Sequence, residues 1–365
     1  MKVAIHTISD DNNFGNRLQN FALATYLSKD ETNEVITLQD NSESDDNYYS
    51  IMNDVNLSRP YLFLTSIKAK LNGVSNQEIT KYYRLKRREH VFRGFTKRYV
   101  PKLKKGQDEF DLYVIGSDQI WNPNFRKNLE RDFLPEISGE KIISFSASIG
   151  IENISSQDQK IIAQGVQHIS AVSVREYSAK KIVENLTSCK ATVHIDPTML
   201  ITPEEWHSLA ETADKKVKIK NKFLITYFLG EITSKERLYI LSYAESIGAL
   251  VININDVNNS VFSRIGPQEF LWLFEHAEAV FADSYHAAVF SIIFKKYFEI
   301  FERHDTFSKM NTRMETLFAH FNIENRIHNL NDNRRKLDLI DYSVIDSILI
   351  SKRNEAGKWL DNYIS

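Results

Sequence analysis

Short apolar runs recur along this chain, each ending abruptly in Ser, Asn, Asp or Gly, and each followed by residues at helical spacing. That alternation predicts parallel β-α-β units, with helices covering both faces of a sheet. The sharpest instance is Ala279-Val280-Phe281, which passes through Ala282-Asp283-Ser284-Tyr285-His286-Ala287 into Val289-Phe290-Ser291-Ile292-Ile293-Phe294. The first run reads as a buried strand and the second as a helix. Asp283, Ser284 and His286 then fall where the strand ends and the helix begins. In an open α/β sheet that crevice is where ligands bind. A helix N-terminus there adds free N–H groups and a positive dipole end, which suits an anion. The stretch predicts a ligand that carries phosphate and a catalytic His286. The competing reading is a helix-capping or core histidine, which a lone His in such a place more often is.

The same pattern opens the chain. Residues 3–8 read as a strand, Asn12-Asn13-Phe14-Gly15-Asn16 as a loop, and Leu18, Phe21, Ala22, Thr25 and Tyr26 as one face of a helix. One glycine is no dinucleotide fingerprint. The loop is either a capping turn or a binding loop, in which the amides of Asn13, Asn16 and Gln19 can hold hydroxyls. Residues 35–38 form a second strand. Residues 41–62 are polar and turn-rich, with an expected mobile loop at 42–47. A strand at 110–115 runs into Gly116-Ser117-Asp118-Gln119-Ile120-Trp121-Asn122. A strand at 142–145 ends in Ser146, one at 171–174 leads into Arg175-Glu176, and one at 193–195 ends in Asp196-Pro197-Thr198. Four strands deliver polar residues to one sheet edge, and their recurrence points to a binding cleft.

Pro197 and Pro203 bracket a boundary at 196–205, after which the alternation restarts. Strands are expected at 223–228, 250–254 and 297–301, and a final amphipathic helix at 342–363. The expected organisation is α/β: an N-terminal Rossmann-like domain over 1–200, a second over 201–340, and a helix over 341–365 able to pack back on the first. The two domains should face each other across a cleft.

A net charge of −2 gives no nucleic-acid signature. Any basic feature is local, and one exists at 81–98, with eight Lys or Arg and one acidic residue. Leu85, Phe92, Phe95 and Tyr99 share a helical face there. The stretch reads as an ordinary helix with a solvated basic face or, more specifically, as a docking surface for an anionic lipid headgroup or a lipid-linked diphosphate. No run approaches the roughly 20 apolar residues needed to span a bilayer. Residues 1–8 are too short for a signal segment. The expectation is a cytoplasmic protein, at most peripheral at the inner face of the membrane. The single cysteine, Cys189, reads as an incidental thiol in a reducing compartment. The ten histidines include no His-x-x-x-His pair, and neither Gly-x-Ser-x-Gly nor a Walker sequence is present. What remains is an assembly of His286, Arg175, Glu176, Asp118 and several Ser and Asn residues.

Six segments then occur in a telling order. They are Asn13-Phe14-Gly15-Asn16 with Leu18-Gln19, Gly116-Ser117-Asp118-Gln119-Ile120-Trp121-Asn122, Phe145-Ser146-Ala147-Ser148-Ile149-Gly150, Ser173-Val174-Arg175-Glu176, Asp196-Pro197-Thr198 and Asp283-Ser284-Tyr285-His286, with Asn311, Arg313 and Arg326 beyond them. In this order the chain resembles the polysaccharide pyruvyltransferase family. The resemblance implies two Rossmann-like domains in a glycosyltransferase-B-like arrangement. It implies transfer of the enolpyruvyl group of phosphoenolpyruvate onto a hexose of a bacterial capsule, exopolysaccharide or wall polymer, or onto its lipid-linked oligosaccharide precursor, as a ketal. No metal or other cofactor is required. Arg175 and His286 match an arginine and a histidine that contact phosphoenolpyruvate. Where some members carry Arg-Leu-His, this chain has Ser284-Tyr285-His286. The phosphate is then left to Ser284, Tyr285 and helix N–H groups, to Arg313, or above all to Arg175 from across the cleft. Asp118 joins His286 as a catalytic candidate and, with Asn16, faces the acceptor sugar. Asn13, Gln19, Ser117, Ser146 and Glu176 complete the expected binding set. Two other readings stay open: a nucleotide-sugar-dependent glycosyltransferase on the same architecture, and a non-catalytic carbohydrate-binding member of an assembly complex.

Overall fold

The structure is a computed structural model that describes residues 1–10, 12–38, 76–101, 109–256, 258–304, 312–328 and 339–364. The expected loop at 42–47 and Asn311 lie outside the described residues. Strands β1 (Lys2–His6), β2 (Glu34–Thr37), β3 (Leu112–Ile115), β4 (Ile142–Ala147), β5 (Ala171–Val174) and β6 (Ala191–Val193) form one sheet in the order β2-β1-β3-β4-β5-β6. Strands β7 (Phe223–Tyr227), β8 (Leu250–Asn253), β9 (Ala279–Ala282) and β10 (Tyr297–Ile300) form a second in the order β10-β9-β7-β8. Every pairing is parallel. Central strands such as β3, β4, β7 and β9 are buried at every position, as helix-covered parallel strands must be. The strand order of each sheet reverses beside its first strand, between β1 and β3 and between β7 and β9. Those are the topological switch points where a crevice opens at the carboxyl ends. The fold is α/β with two Rossmann-like halves.

Among the described residues the helices are α1 (Phe14–Leu27), α2 (Asn76–Tyr99), α3 (Ser156–His168), α4 (Tyr177–Leu186), α5 (Pro203–Ala210), α6 (Ser234–Ile247), α7 (Pro267–His276), α8 (Tyr285–Ile293), α9 (Thr312–Phe321) and α10 (Tyr342–Ile364). None among the described residues is long and apolar enough to cross a membrane. One apolar cluster runs from Val3 and Ile5 in the first sheet through Phe14 and Phe92 to Ile225 and Phe270 in the second half. Its hinge is Phe14, whose ring stacks on Phe270 at 4.6 Å and tilts against Phe92 at 4.9 Å. The basic helix α2 takes part in this junction. Arg88 is buried with its guanidinium 4.6 Å over Phe14, and its Nη2 donates to Asn255 Oδ1 at 3.3 Å. The stretch at 81–98 is thus partly a strut between halves, while Lys81, Arg87, Arg93, Lys97 and Arg98 remain exposed.

Helix α10 returns to the first sheet. Trp359 lies against Phe145 and His194, Tyr26 donates to Asp361 at 3.0 Å, and Arg353 donates to the carbonyls of Met199 and Ile201. Two histidines sit beneath it, His194, which is buried, and His320, which is partly buried. Burial pushes both imidazoles down to about 4 from the ordinary 6.5, with Glu355 and Lys352 of α10 as opposing lesser influences. An unfolded chain protonates them below about 6.5, whereas the folded chain resists until about 4. Stability therefore falls as pH falls through that window, by roughly 1–2 kcal/mol per histidine between pH 7 and pH 5. Denaturant melts at the two pH values measure the loss, and the double variant His194→Gln/His320→Gln should flatten it. Equal wild-type midpoints at both pH values would contradict the assignment.

Candidate active site

Asp283 follows strand β9, and Ser284 caps α8 from an extended backbone without a side-chain capping bond. The first N–H groups of α8 therefore face the crevice uncapped by Ser284. Asp283 turns back instead: its carboxylate accepts from the N–H groups of Leu229 and Gly230, both at 2.7 Å, and ties the exits of β7 and β9 together. Burial raises its pKa.

His286 stands in the first turn of α8 and is 7% exposed. Its imidazole lies on the backbone of Gly15 in the other half. A Cβ at Gly15 would come 2.0 Å from Nδ1 and 2.2 Å from Cγ. The glycine of Asn13-Phe14-Gly15-Asn16 is thus required by the close approach of the second half. On its other side, Nε2 is 3.7 Å from Asp196 Oδ2, and it is buried without a hydrogen-bond partner. That separation is too long for a hydrogen bond but close for two charges.

Asp196 follows β6 and is fully buried. Its Oδ1 accepts from the Thr198 N–H at 3.0 Å and the Thr198 hydroxyl at 2.7 Å. Its Oδ2 accepts from Arg175 Nη1 at 2.7 Å and Ser117 Oγ at 3.3 Å. Burial alone would raise this carboxyl, but His286, Arg175 and the Thr198 N–H outweigh it and hold it well below the usual range. Asp118, at the β3 exit, has a left-handed φ of 65 and is pinned by its neighbours. Its Oδ2 accepts from Asn16 Nδ2 at 3.0 Å, and its Oδ1 accepts from the Gln119 N–H at 2.9 Å and faces Arg175 Nη2 at 3.4 Å. Burial is again outweighed, here by Arg175, His286 and Asn16, so Asp118 is also held low.

Arg175 therefore has one Nη on each of two ionised carboxylates, and its guanidinium lies 4.6 Å over the Tyr285 ring. Its charge is balanced within the protein, which is not the setting expected of the principal phosphate cation. A second guanidinium, Arg313 from α9, lies 5.7 Å from the same ring.

The remaining expected residues act as braces. Glu176 is buried, and its Oε1 accepts from Ser148 Oγ and the N–H groups of Ile149 and Gly150 at 2.8–3.0 Å, folding the β4 exit. Ser146 donates to the His194 carbonyl at 3.3 Å. Gln19 donates to Thr7 Oγ1 at 3.0 Å and accepts from the Ser117 N–H at 3.1 Å. Asn16 Oδ1 accepts from Arg17 and from the Asp10 N–H, so its amide braces Asp118. Asn13 caps α1 through the Asn16 N–H. His286, Asp196, Arg175, Asp118, Ser117, Tyr285 and Arg313 form one connected cluster. Among the described residues no group of three or more His, Cys, Asp or Glu is arranged to hold a metal ion.

The sequence matches the model of the polysaccharide pyruvyl transferase family over residues 13–304. The chain belongs to that family. No curated protein sequence matches it. Among solved structures it is similar to the UDP-GlcNAc 2-epimerase of Neisseria meningitidis, with 13% identity and a TM-score of 0.45 over 98% of this chain and 93% of that one. It is similar to the UDP-GlcNAc 2-epimerase of Methanocaldococcus jannaschii, with 12% identity and a TM-score of 0.43 over 96% and 99%. It also resembles a UDP-glucosyltransferase of Polygonum tinctorium, with 10% identity and a TM-score of 0.42 over 100% and 98%.

In this pyruvyl transferase family member the matched region takes in both crevices, from the start of α1 to the residues after β10. It includes Asp118, Arg175, Asp196 and His286, and it stops before Arg313. Two site residues had no role on sequence grounds. Asp196 stood at a strand exit on the same edge as Arg175, and charge complementarity was its signal. Gly15 had none, because its contact is made with the other half of the molecule.

Proposed function

We propose that this pyruvyl transferase family member moves the enolpyruvyl group of phosphoenolpyruvate onto two hydroxyls of a hexose, in a bacterial surface polysaccharide or its lipid-linked precursor, as a pyruvate ketal. The observation that carries this reading is the His286 imidazole, seated on Gly15 of the other half and 3.7 Å from Asp196, with Nε2 unbonded. A proton carrier at that place matches what ketal formation demands. His286 donates a proton to C3 of the donor, which turns the methylene into a methyl group. The first sugar hydroxyl adds at C2, and its proton returns to the imidazole. The C2–O bond to phosphate then breaks, and phosphate leaves with the electron pair. The second hydroxyl closes the ketal and gives its proton to the departing phosphate. Asp196 offers the imidazolium an opposite charge during the cycle. Asp118, held ionised, orients the attacking hydroxyl on the acceptor side. The chemistry balances without a metal or other cofactor.

The acceptor lies over the β3 exit in this reading. For a lipid-linked acceptor, the exposed Lys81, Arg87, Lys97 and Arg98 of α2 supply basic contacts to anionic headgroups at the inner face of the membrane. Purified protein, phosphoenolpyruvate and a panel of saccharide and lipid-linked acceptors test the reading. Phosphate and acid-labile pyruvate on the acceptor should appear in equal amounts. No product across the panel, with no phosphoenolpyruvate binding by calorimetry, would overturn it.

A further inference from the structure

We propose that Arg313, rather than Arg175, is the cation that anchors the donor's phosphate, in the cavity beside Tyr285. This assignment rests on the donor reading above. Arg175 has its two Nη atoms on Asp196 and Asp118, so its charge is already balanced by two carboxylates, although its Nε, like that of Arg313, is buried without a partner. Position 284 is a neutral serine. Arg313 enters from the first turn of α9 and meets the Tyr285 ring at 5.7 Å, the ring that also carries Arg175 at 4.6 Å. Its Nε is buried with no hydrogen-bond partner. A buried guanidinium N–H without an acceptor is costly, and an anion at that place removes the cost.

The surroundings support a small anion. Arg313 lines a cavity of about 200 Å³ together with Asp283, Tyr285, Phe301, Met314 and a second arginine, Arg303, whose charge acts on Asp283, at the carboxyl ends of β9 and β10. That volume is below the roughly 300 Å³ at which pockets for drug-sized ligands begin. It suits a phosphorylated three-carbon acid rather than a nucleotide sugar. Asp283 spends its carboxylate on the N–H groups of Leu229 and Gly230, while Glu302 and Glu315, also on the lining, are exposed to solvent. Burial and the nearby Arg175 push the Arg313 guanidinium down to about 10, against the opposite pull of Asp118 and Glu176. The arginine lies beyond the stretch, residues 13–304, that matches the family model.

Calorimetric titration of the full chain with phosphoenolpyruvate, and separately with inorganic phosphate, tests the assignment on wild type, Arg313→Gln and Arg313→Lys. The glutamine variant should bind both ligands about 10–100-fold more weakly, the loss of a charge-assisted contact. The lysine variant should recover part of that loss and guards against a glutamine variant that fails to fold. Wild-type affinity for both ligands in Arg313→Gln, or a loss in Arg313→Lys as large as in Arg313→Gln, would overturn the anchor and leave the donor reading intact. Arg313-dependent phosphate binding without phosphoenolpyruvate binding would keep the anchor and remove the donor. Binding of neither ligand by wild type would remove both.

Discussion

Replacing His286 with glutamine lowers ketal formation by about 10²–10⁴-fold, the range of a general acid–base group, and leaves the fold and phosphoenolpyruvate binding in place. The expectation follows from what the imidazole touches. Nε2 has no hydrogen-bond partner, so its removal leaves no donor or acceptor orphaned. Asp196 keeps Arg175, Ser117 and Thr198 as partners. The two ionised carboxylates and the guanidinium between them therefore survive the substitution. Melting temperature and donor affinity should stay near wild type while turnover collapses. A His286→Gln enzyme that still turns over would make the histidine a packing residue at a helix start.

The second large effect comes from a substitution that ordinarily favours a helix. Alanine in place of glycine in a helix gains about 1 kcal/mol, and Gly15 has no left-handed φ to forbid it. Here the new methyl carbon would lie 2.0 Å from His286 Nδ1, so the imidazole or the second half must move. Misplacing a reacting group by about 1 Å costs on the order of 10²-fold in rate. Gly15→Ala should lose at least that much activity while its melting temperature changes little or falls modestly. The contact can be isolated by a double-mutant cycle with His286→Gly, which removes the ring that the methyl group meets. Gly15→Ala should destabilise the wild-type background relative to the His286→Gly background. Equal effects in both backgrounds would mean that the ring and the glycine do not meet in solution.

Both effects depend on the junction of the halves, which is the part of the molecule least legible in the sequence. The strand exits were legible: apolar runs that stop at Ser117, Arg175, Asp196 and Asp283 can only be buried strands delivering polar groups to one edge. The helix start at Tyr285 was legible for the same reason. The pairing of those groups was not. Arg175 meets Asp196 across 21 positions and Asn16 meets Asp118 across 102, and neither spacing has a local signature. Arg88 shows the same limit from the other side. Its basic neighbourhood suggests solvent or a headgroup, yet the faces of Phe14 and Phe92 draw its guanidinium into the junction. Polar residues around the strand exits likewise look like ligand contacts, although Gln19, Asn16 and Glu176 use their polar atoms to hold the loops.

The most direct measurement is the mass spectrum of an acceptor sugar after incubation with phosphoenolpyruvate and enzyme in deuterated water. Proton donation to C3 in the cleft predicts one ketal-linked pyruvate whose methyl group carries one deuterium, formed by wild type and lost in His286→Gln. An acceptor that stays unmodified, or one that gains an enolpyruvyl ether with its methylene intact, would contradict pyruvate ketal formation at His286.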